Sequence, residues 1–350
     1  MRRTRKFTVR RDAAEETVLK VVAGYLAALN ASDFAAIGRD FLGPRATGFG
    51  FGGAGLNRYR TDGMLEASSF EPPVTLALRL VAPVVQSYDD TAMVAAYLEG
   101  SITRLGSVLE EGPWRMALFL AREGKDWRLE HVNFSKLSVP SLAYFAQLPR
   151  GYAPGSGKSW PLILFLHGAG ERGDLERVKA WTMANTCVPK VAEEHPDFPF
   201  VVVTPACPPL TSWSQLPYSI GALLDEVLAK YDVDPDRVYL TGLSMGGYGT
   251  WSLAAWFPER FAAIAPVCGI ADPARVERLR HIPVWAFHGA LDPYVPLQQD
   301  EAAVGVLRAA GGDVRLTVYP DVGHESWERA YAGTELYDWF LRHRRRRSRG

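Results

Sequence analysis

The chain has 350 residues, 47% of them hydrophobic and 22% charged, which suits an ordinary globular core and excludes a disordered or fibrous protein. Lys plus Arg and Asp plus Glu both number 39, yet six basic residues lie in 1–11 and six more in 342–350, with no acid in either stretch. The body between carries twelve more acidic than basic residues. That argues against a broad nucleic-acid-binding surface and leaves the basic tips as solvated ends.

The length favours two domains. Val18, Val21, Val22, Tyr25, Leu26 and Leu29 recur at helical spacing from Ala14 until Asn30-Ala31-Ser32-Asp33 interrupts them, and a short second helix runs through Phe34, Ile37 and Phe41. Residues 43–72 are rich in Gly and polar residues and give no element. Pro73–Val81, Met93–Ile102, Trp114–Ala121 and Trp127–Phe134 read as antiparallel strands, the last pair joined by a Gly-containing turn, Arg122-Glu123-Gly124-Lys125-Asp126. Trp127 and Leu129 alternate with Arg128 and Glu130, whereas Trp114–Ala121 is apolar on both faces: Met116, Leu118 and Leu120 against Ala117 and Phe119.

After Leu137 the grammar changes, and the boundary is placed near 138. Leu142–Leu148 supplies a first strand, and Pro149 to Pro161 is a Pro/Gly/Ser-rich loop. Leu162–Leu166, Phe200–Val203, Val238–Leu240, Ala262–Val267, Val284–Phe287 and Val314–Tyr319 are short apolar runs separated by helical stretches. Strands buried on both faces and alternating with helices predict a doubly wound, mostly parallel sheet. No run reaches the roughly 18–20 apolar residues of a membrane span, and no apolar segment of a secretion signal follows the basic start. Cys187, Cys207 and Cys268 are too few and too far apart for a disulfide framework or a Cys-x-x-Cys metal site. A cytoplasmic protein without metal or organic cofactor is the expectation.

Gly242-Leu243-Ser244-Met245-Gly246 matches G-x-S-x-G, a pattern that chance alone produces about once in seven chains of this length and composition. Context strengthens it. An apolar strand ends at Leu240, and Tyr248, Trp251, Ala255 and Trp256 continue at helical spacing, so the serine stands on a sharp strand-to-helix turn where Gly242 and Gly246 admit close backbone approach. Its hydroxyl then lies at a helix N-terminus, which favours developing negative charge.

A serine nucleophile needs a base, and in a doubly wound sheet acid and base follow on loops after later strands, in the order Ser, Asp, His. His324 follows Leu316–Tyr319; Asp292 follows Val284–Phe287. His281 and His343 stand in unsuitable places, His288 reads as structural, and Asp272 is the main competitor to Asp292, ahead of Asp313 and Asp321. The backbone N–H groups of Met245 and Ala169, with Gly168 as alternative to the latter, are the expected oxyanion donors, and His167 reads as a loop-fixing residue.

Residues 142–342 resemble the α/β-hydrolase fold. They are similar to small esterases of the carboxylesterase/phospholipase group and to the catalytic domain of prolyl oligopeptidases. The stretches that carry the likeness are Trp160–Gly173 with His167-Gly168-Ala169-Gly170, Val233–Tyr239, the motif around Ser244, and Pro283–Gly289. The resemblance implies Ser244 as nucleophile, His324 as base and Asp292 as its orienter. Extracellular polyester and feruloyl esterases have similar cores. Residues 12–138 resemble the SnoaL-like/NTF2-like fold through Ala27–Asp33 and Asp126–Val132, which implies a cone of helices against a curved sheet that often dimerises through the sheet; His131 reads as structural or pocket-lining.

Two domains are therefore expected: an α+β SnoaL/NTF2-like domain at 12–138 and an α/β-hydrolase domain at 139–343. The second is expected to cleave small-molecule carboxylic esters, short-chain or aryl, through an acyl-enzyme. A serine peptidase of the prolyl-oligopeptidase kind and a non-catalytic ligand-binding protein are the alternatives. The long inserts at 168–199 and 205–220 and the start of the last helices supply the expected pocket: Gly168, Glu171, Trp213, Gln215 and Trp327, with Arg172, Trp181 and Asn185 nearby. The front domain is expected to pair two copies.

Overall fold

In the computed structural model, which describes residues 13–49, 57–58, 74–273 and 275–345, the chain divides into two compact units between Ser138 and Val139.

In the first unit, Val18, Val22, Tyr25, Leu26 and Leu29 form the buried stripe of the helix Ala13–Asn30. Asn30 ends the helix and fastens it to a sheet edge. Its side chain accepts from Leu78 N at 2.8 Å and donates to Leu78 O at 2.9 Å, as a neighbouring strand would. Asp33 caps the turn Phe34–Ala36, which continues as a wide turn through Ile37–Phe41.

The sheet comprises β1 (Leu42–Phe49), β2 (Asn57–Arg58), β3 (Val74–Tyr88), β4 (Thr91–Arg104), β5 (Ser107–Glu111), β6 (Trp114–Glu123) and β7 (Asp126–Lys136). Its order is β2-β1-β7-β6-β4-β3, with β5 paired to β4; β1 runs parallel to β7 and the other pairs are antiparallel. Trp114, Met116, Leu118 and Leu120 face the core from β6. On β7 the buried positions shift from Trp127 and Leu129 to Val132 and Phe134, because a bulge opposite Phe119 and Leu120 inserts a residue and reverses the face. β3 runs past the expected end at Val81, through a bulge at Ala82-Pro83; as an edge strand it tolerates the proline. Of the stretch that gave no element, 50–56 and 59–72 lie outside the described residues.

The second unit is a seven-stranded sheet of β8 (Tyr144–Gln147), β9 (Trp160–Leu166), β10 (Val201–Pro205), β11 (Val233–Leu243), β12 (Ala263–Val267), β13 (Val284–Gly289) and β14 (Val314–Tyr319). The order is β14-β13-β12-β11-β9-β10-β8, parallel throughout except for β8. The seven residues of β9 are all buried, but they serve two cores. Leu162, Leu164 and Leu166 pack with helices Pro217–Lys230, Met245–Trp256 and Leu297–Ala309; Ile163 and Phe165 pack with Val188–Glu194, Trp327–Ala332 and Glu335–Leu341. Helices thus cover both faces, leaving the carboxyl ends of the strands for loops.

Candidate active site

Ser244 joins β11 to the helix Met245–Trp256 with φ 54° and ψ −116°, a left-handed conformation that costs a non-glycine residue about 1–3 kcal/mol. The turn that holds it there is packed backbone against backbone. A Cβ on Gly246 would lie 2.0 Å from the Leu166 carbonyl oxygen, and one on Gly242 2.6 Å from the carbonyl oxygens of Gly246 and Leu166. The Ser244 N–H donates to Val267 O at 3.0 Å and lies 3.3 Å from Cys268 Sγ. Met245 opens the helix, so its N–H has no intrahelical acceptor.

β13 and β14 are parallel neighbours, and the loops that follow them carry Asp292 and His324 side by side. His324 Nε2 is 2.9 Å from Ser244 Oγ, and Nδ1 is 2.7 Å from Asp292 Oδ2. Asp292 Oδ1 accepts from the N–H groups of Tyr294 and Val295, both at 2.9 Å. Burial opposes the charge on Asp292, but the His324 bond and these two amides outweigh it and hold the carboxyl below its ordinary value. The His324 ring is flanked edge-to-face by Tyr294 and Trp327, with centroids 5.4 and 5.5 Å away. Asp321 is exposed and paired with Arg329, and the exposed Asp272 lies 3.5 Å from Arg275.

The loop after β9 is tied down from several sides. His167 is fully buried; its Nε2 accepts from Cys207 N at 3.0 Å, so Nδ1 carries the hydrogen and donates to Gly168 O at 2.7 Å. Burial pushes its pKa down to about 4, which keeps the ring neutral. Arg172 donates to Ala169 O at 2.9 Å and to Thr211 O at 3.0 Å. The Ala169 N–H therefore sits on an exposed but braced loop.

Of the residues expected to line a pocket, Trp213 does not. It is fully buried behind this loop, where it donates its indole N–H to His167 O at 2.9 Å, so its tryptophan bulk buttresses the loop rather than facing a ligand. Gln215 is exposed and folds back to cap Ser212. Glu171 is buried beside Gly168, one carboxyl oxygen without a hydrogen-bond partner; burial raises its pKa. Trp327 covers His324, and Trp181 stands behind it at 6.4 Å. Arg172 braces the loop, and Asn185 caps the helix Leu175–Ala184 through Trp181 O. Sequence reasoning missed Leu291 and Tyr294, 65% and 76% exposed on the Asp292 loop; their nearness to Asp292 in the chain was the only signal. A cavity of about 400 Å³ opens along the Tyr248, Trp251 and Ala255 side of the Ser244 helix, lined also by Ser214 and Ile270; Ser244, Asp292 and His324 do not line it.

Among the described residues, Cys268, Asp292 and His324 place potential metal-ligand atoms within 4.8 Å of one another, but two of the three are already bonded together. Burial pushes the Cys268 thiol up to about 12, so it stays protonated and unreactive at neutral pH.

The Phospholipase/Carboxylesterase family pattern matches residues 213–334, and the SnoaL-like domain pattern matches residues 18–140. The chain is 27% identical over 224 residues to a poly(3-hydroxyoctanoate) depolymerase of Pseudomonas fluorescens, covering 56% of this chain and 78% of that protein. It is 26% identical over 214 residues to a bifunctional acetylxylan esterase/xylanase of Neocallimastix patriciarum, covering 58% of this chain but only 30% of that protein's length. Among solved structures, a thermostable esterase superposes with a TM-score of 0.50 at 28% identity, covering 74% of each chain. With the seven-stranded sheet and the loops at its carboxyl edge, these likenesses show a SnoaL-like domain followed by a domain of α/β-hydrolase fold that matches the phospholipase/carboxylesterase family over residues 213–334.

Proposed function

We propose that the hydrolase domain cleaves carboxylic esters through an acyl-enzyme on Ser244. The observation that carries this reading is the unbroken chain from Ser244 Oγ through His324 to Asp292, at 2.9 and 2.7 Å. Asp292 keeps the hydrogen on Nδ1, which leaves the Nε2 lone pair facing the serine. As Oγ attacks the ester carbonyl, its proton passes to Nε2. The carbonyl oxygen, now an oxyanion, rests on the Met245 and Ala169 N–H groups. Collapse expels the alcohol, which takes the proton from His324; a water then gives a proton to His324 and attacks the acyl-enzyme, and the second collapse releases the acid as His324 returns the proton to Ser244 Oγ.

Short-chain or aryl esters suit the surroundings. The exposed Tyr294, edge-to-face on His324, offers a flat apolar contact beside the base, and Trp327 closes the other side of the ring. Treating the full chain with a fluorophosphonate, mapping the adduct, and running an ester panel beside Ser244→Ala tests the assignment. A single adduct on Ser244 and no turnover by the variant are expected. An adduct elsewhere, or unchanged hydrolysis by Ser244→Ala, refutes it.

For the front domain we propose pairing of two copies through the outer face of its sheet. Met93 and Phe119 are register partners on β4 and β6 and are 44% and 43% exposed, and Val84 and Tyr88 on β3 are also exposed.

A further inference from the structure

His288 and Asp300 are both fully buried behind the Asp292 loop, in surroundings that are otherwise largely apolar. Burying a carboxyl and an imidazole is costly unless each polar atom is matched, and here the matching is nearly complete. His288 is the fifth residue of β13, and Asp300 lies on the first turn of the helix Leu297–Ala309. His288 Nδ1 is 2.8 Å from Asp300 Oδ2, and Nε2 is 2.9 Å from Val295 O. The other Asp300 oxygen accepts from the Trp251 indole N–H at 3.3 Å, and Trp251 belongs to the Ser244 helix. The pair therefore ties strand, loop and nucleophile helix into one block.

The positions of the hydrogens follow from these partners. A carbonyl oxygen only accepts, so Nε2 carries a hydrogen. Nδ1 faces a carboxylate oxygen at 2.8 Å, a contact that also needs a hydrogen between the two atoms. The indole N–H stabilises a charged Asp300, and Asp292 Oδ2, 3.5 Å from Nε2, stabilises a charged His288. Burial opposes charge on both groups. For His288 the bonds to Asp300 and Val295 outweigh it and raise the imidazole pKa, whereas burial also raises that of the Asp300 carboxyl. The proton between Nδ1 and Oδ2 is therefore shared by the pair, and its ion-paired form presents a positive end to Asp292.

We propose that His288 and Asp300 are positioning residues for the hydrolytic reaction: they staple the Asp292 loop through Val295 O and moderate the pull of Asp292 on the His324 proton. Val295 is doubly used, since its N–H holds Asp292 Oδ1 while its carbonyl is held by His288. A cation close to Asp292 weakens that carboxylate's attraction for Nδ1–H, so His324 gives up its proton more readily to the leaving alcohol. The other titratable groups facing this cluster are His324 from the loop after β14, Tyr248 from the Ser244 helix, and Cys268 from the end of β12. Burial keeps Tyr248 and Cys268 neutral.

The inference rests on the proposed Ser244 chemistry, and one experiment separates the two. The full chain and its Asp300→Asn variant are assayed with p-nitrophenyl acetate from pH 5 to 9, with thermal unfolding and fluorophosphonate labelling alongside. Asparagine donates an amide hydrogen to Nδ1 and keeps the bond, but it leaves His288 uncharged. Asp292 then pulls harder on the Nδ1–H of His324. The expected result is a variant that folds and labels at Ser244, with KM within about twofold, while the acidic limb of kcat/KM moves up by about one pH unit. Superimposable pH profiles overturn the inference. Where Asp300→Asn does not fold, Trp251→Phe serves: losing the indole donor makes Asp300 more basic and draws the shared proton from His288, so a smaller shift of the same sign is expected. An unmoved limb overturns the inference. A wild-type chain that neither turns over the ester nor takes the label refutes the Ser244 reading, and the inference falls with it.

Discussion

His167 makes the hydrolase domain's stability depend on pH in a way that can be isolated. Its ring is fully buried, donates to Gly168 O, accepts from Cys207 N and lies edge-to-face on Trp213 at 5.0 Å, so protonation would break the Cys207 bond inside the core. Burial lowers its pKa from 6.5 to about 4. The unfolded chain therefore binds a proton below pH 6.5 that the folded chain refuses until about pH 4. Stability rises with pH wherever the unfolded state holds more protons, so this contribution is complete above pH 6.5 and is lost as pH falls through the window to about 4. A shift of that size amounts to about 3 kcal/mol in full, and about 2.5 kcal/mol of it disappears between pH 7.5 and 4.5. His167→Gln retains an acceptor for Cys207 N but does not titrate. Urea unfolding of both proteins, followed by tryptophan fluorescence, measures the difference; eight of the ten tryptophans lie after residue 138, so the signal reports chiefly on the hydrolase domain. The advantage of wild type over the variant should shrink by about 2.5 kcal/mol on acidification. A difference that stays constant across that range refutes the reasoning.

Ala169→Pro removes one proposed oxyanion donor from an exposed loop position, and should lower kcat on an aryl acetate about 10²–10³-fold with little change in melting temperature. An unchanged kcat would move the second donor elsewhere. Gly246→Ala puts a methyl group 2.0 Å from the Leu166 carbonyl oxygen, which is backbone and has no rotamer to escape into; a loss of about 3 kcal/mol in urea unfolding is expected, and a loss below about 1 kcal/mol contradicts the packing. Phe119→Lys places a charge on the proposed pairing face and should turn a dimer into a monomer by light scattering; a wild-type chain already monomeric at tens of micromolar refutes the pairing.

The parts that were readable from the amino acids are those where burial or sterics leave a strong pattern. β9 is apolar at every position because both of its faces are covered, and such a run between helices implies a parallel sheet. Asp292 and His324 stand after successive strands that pair in parallel, so chain order alone places their loops together. The pattern is weak elsewhere. β5 is mostly exposed and so carries no alternation, and β1 includes Gly43 and Pro44 with a register break between Leu42 and Thr47. Trp213 shows the limit for side chains: a tryptophan in a long insert reads equally well as a pocket wall or as a buttress, and only the indole bond to His167 O decides between them. Asp300 was illegible for a related reason, since its meaning depends on Trp251, 49 residues away in the chain.

These buried polar groups also show how rigidity is distributed. His167, Glu171, His288 and Asp300 are all buried, and all lie in or next to the segments that follow β9 and β13, at the end of the sheet where Ser244 stands. The flanks of the same sheet are filled by Leu, Ile, Val and aromatic side chains. An apolar core is indifferent to small rotations of its side chains, whereas a hydrogen-bonded imidazole specifies direction as well as distance. Ser244 occupies a strained backbone conformation, and the proposed chemistry needs it to face a lone pair on His324, so direction is what that chemistry asks of this end of the sheet. The desolvation cost of the polar groups is tolerable because it falls on a few residues while the two hydrophobic clusters on either side supply the stability of the domain. Replacing His288 and Asp300 together by apolar residues of similar volume should therefore harm catalysis more than folding, whereas replacing either alone leaves its partner buried and unmatched and should destabilise the domain.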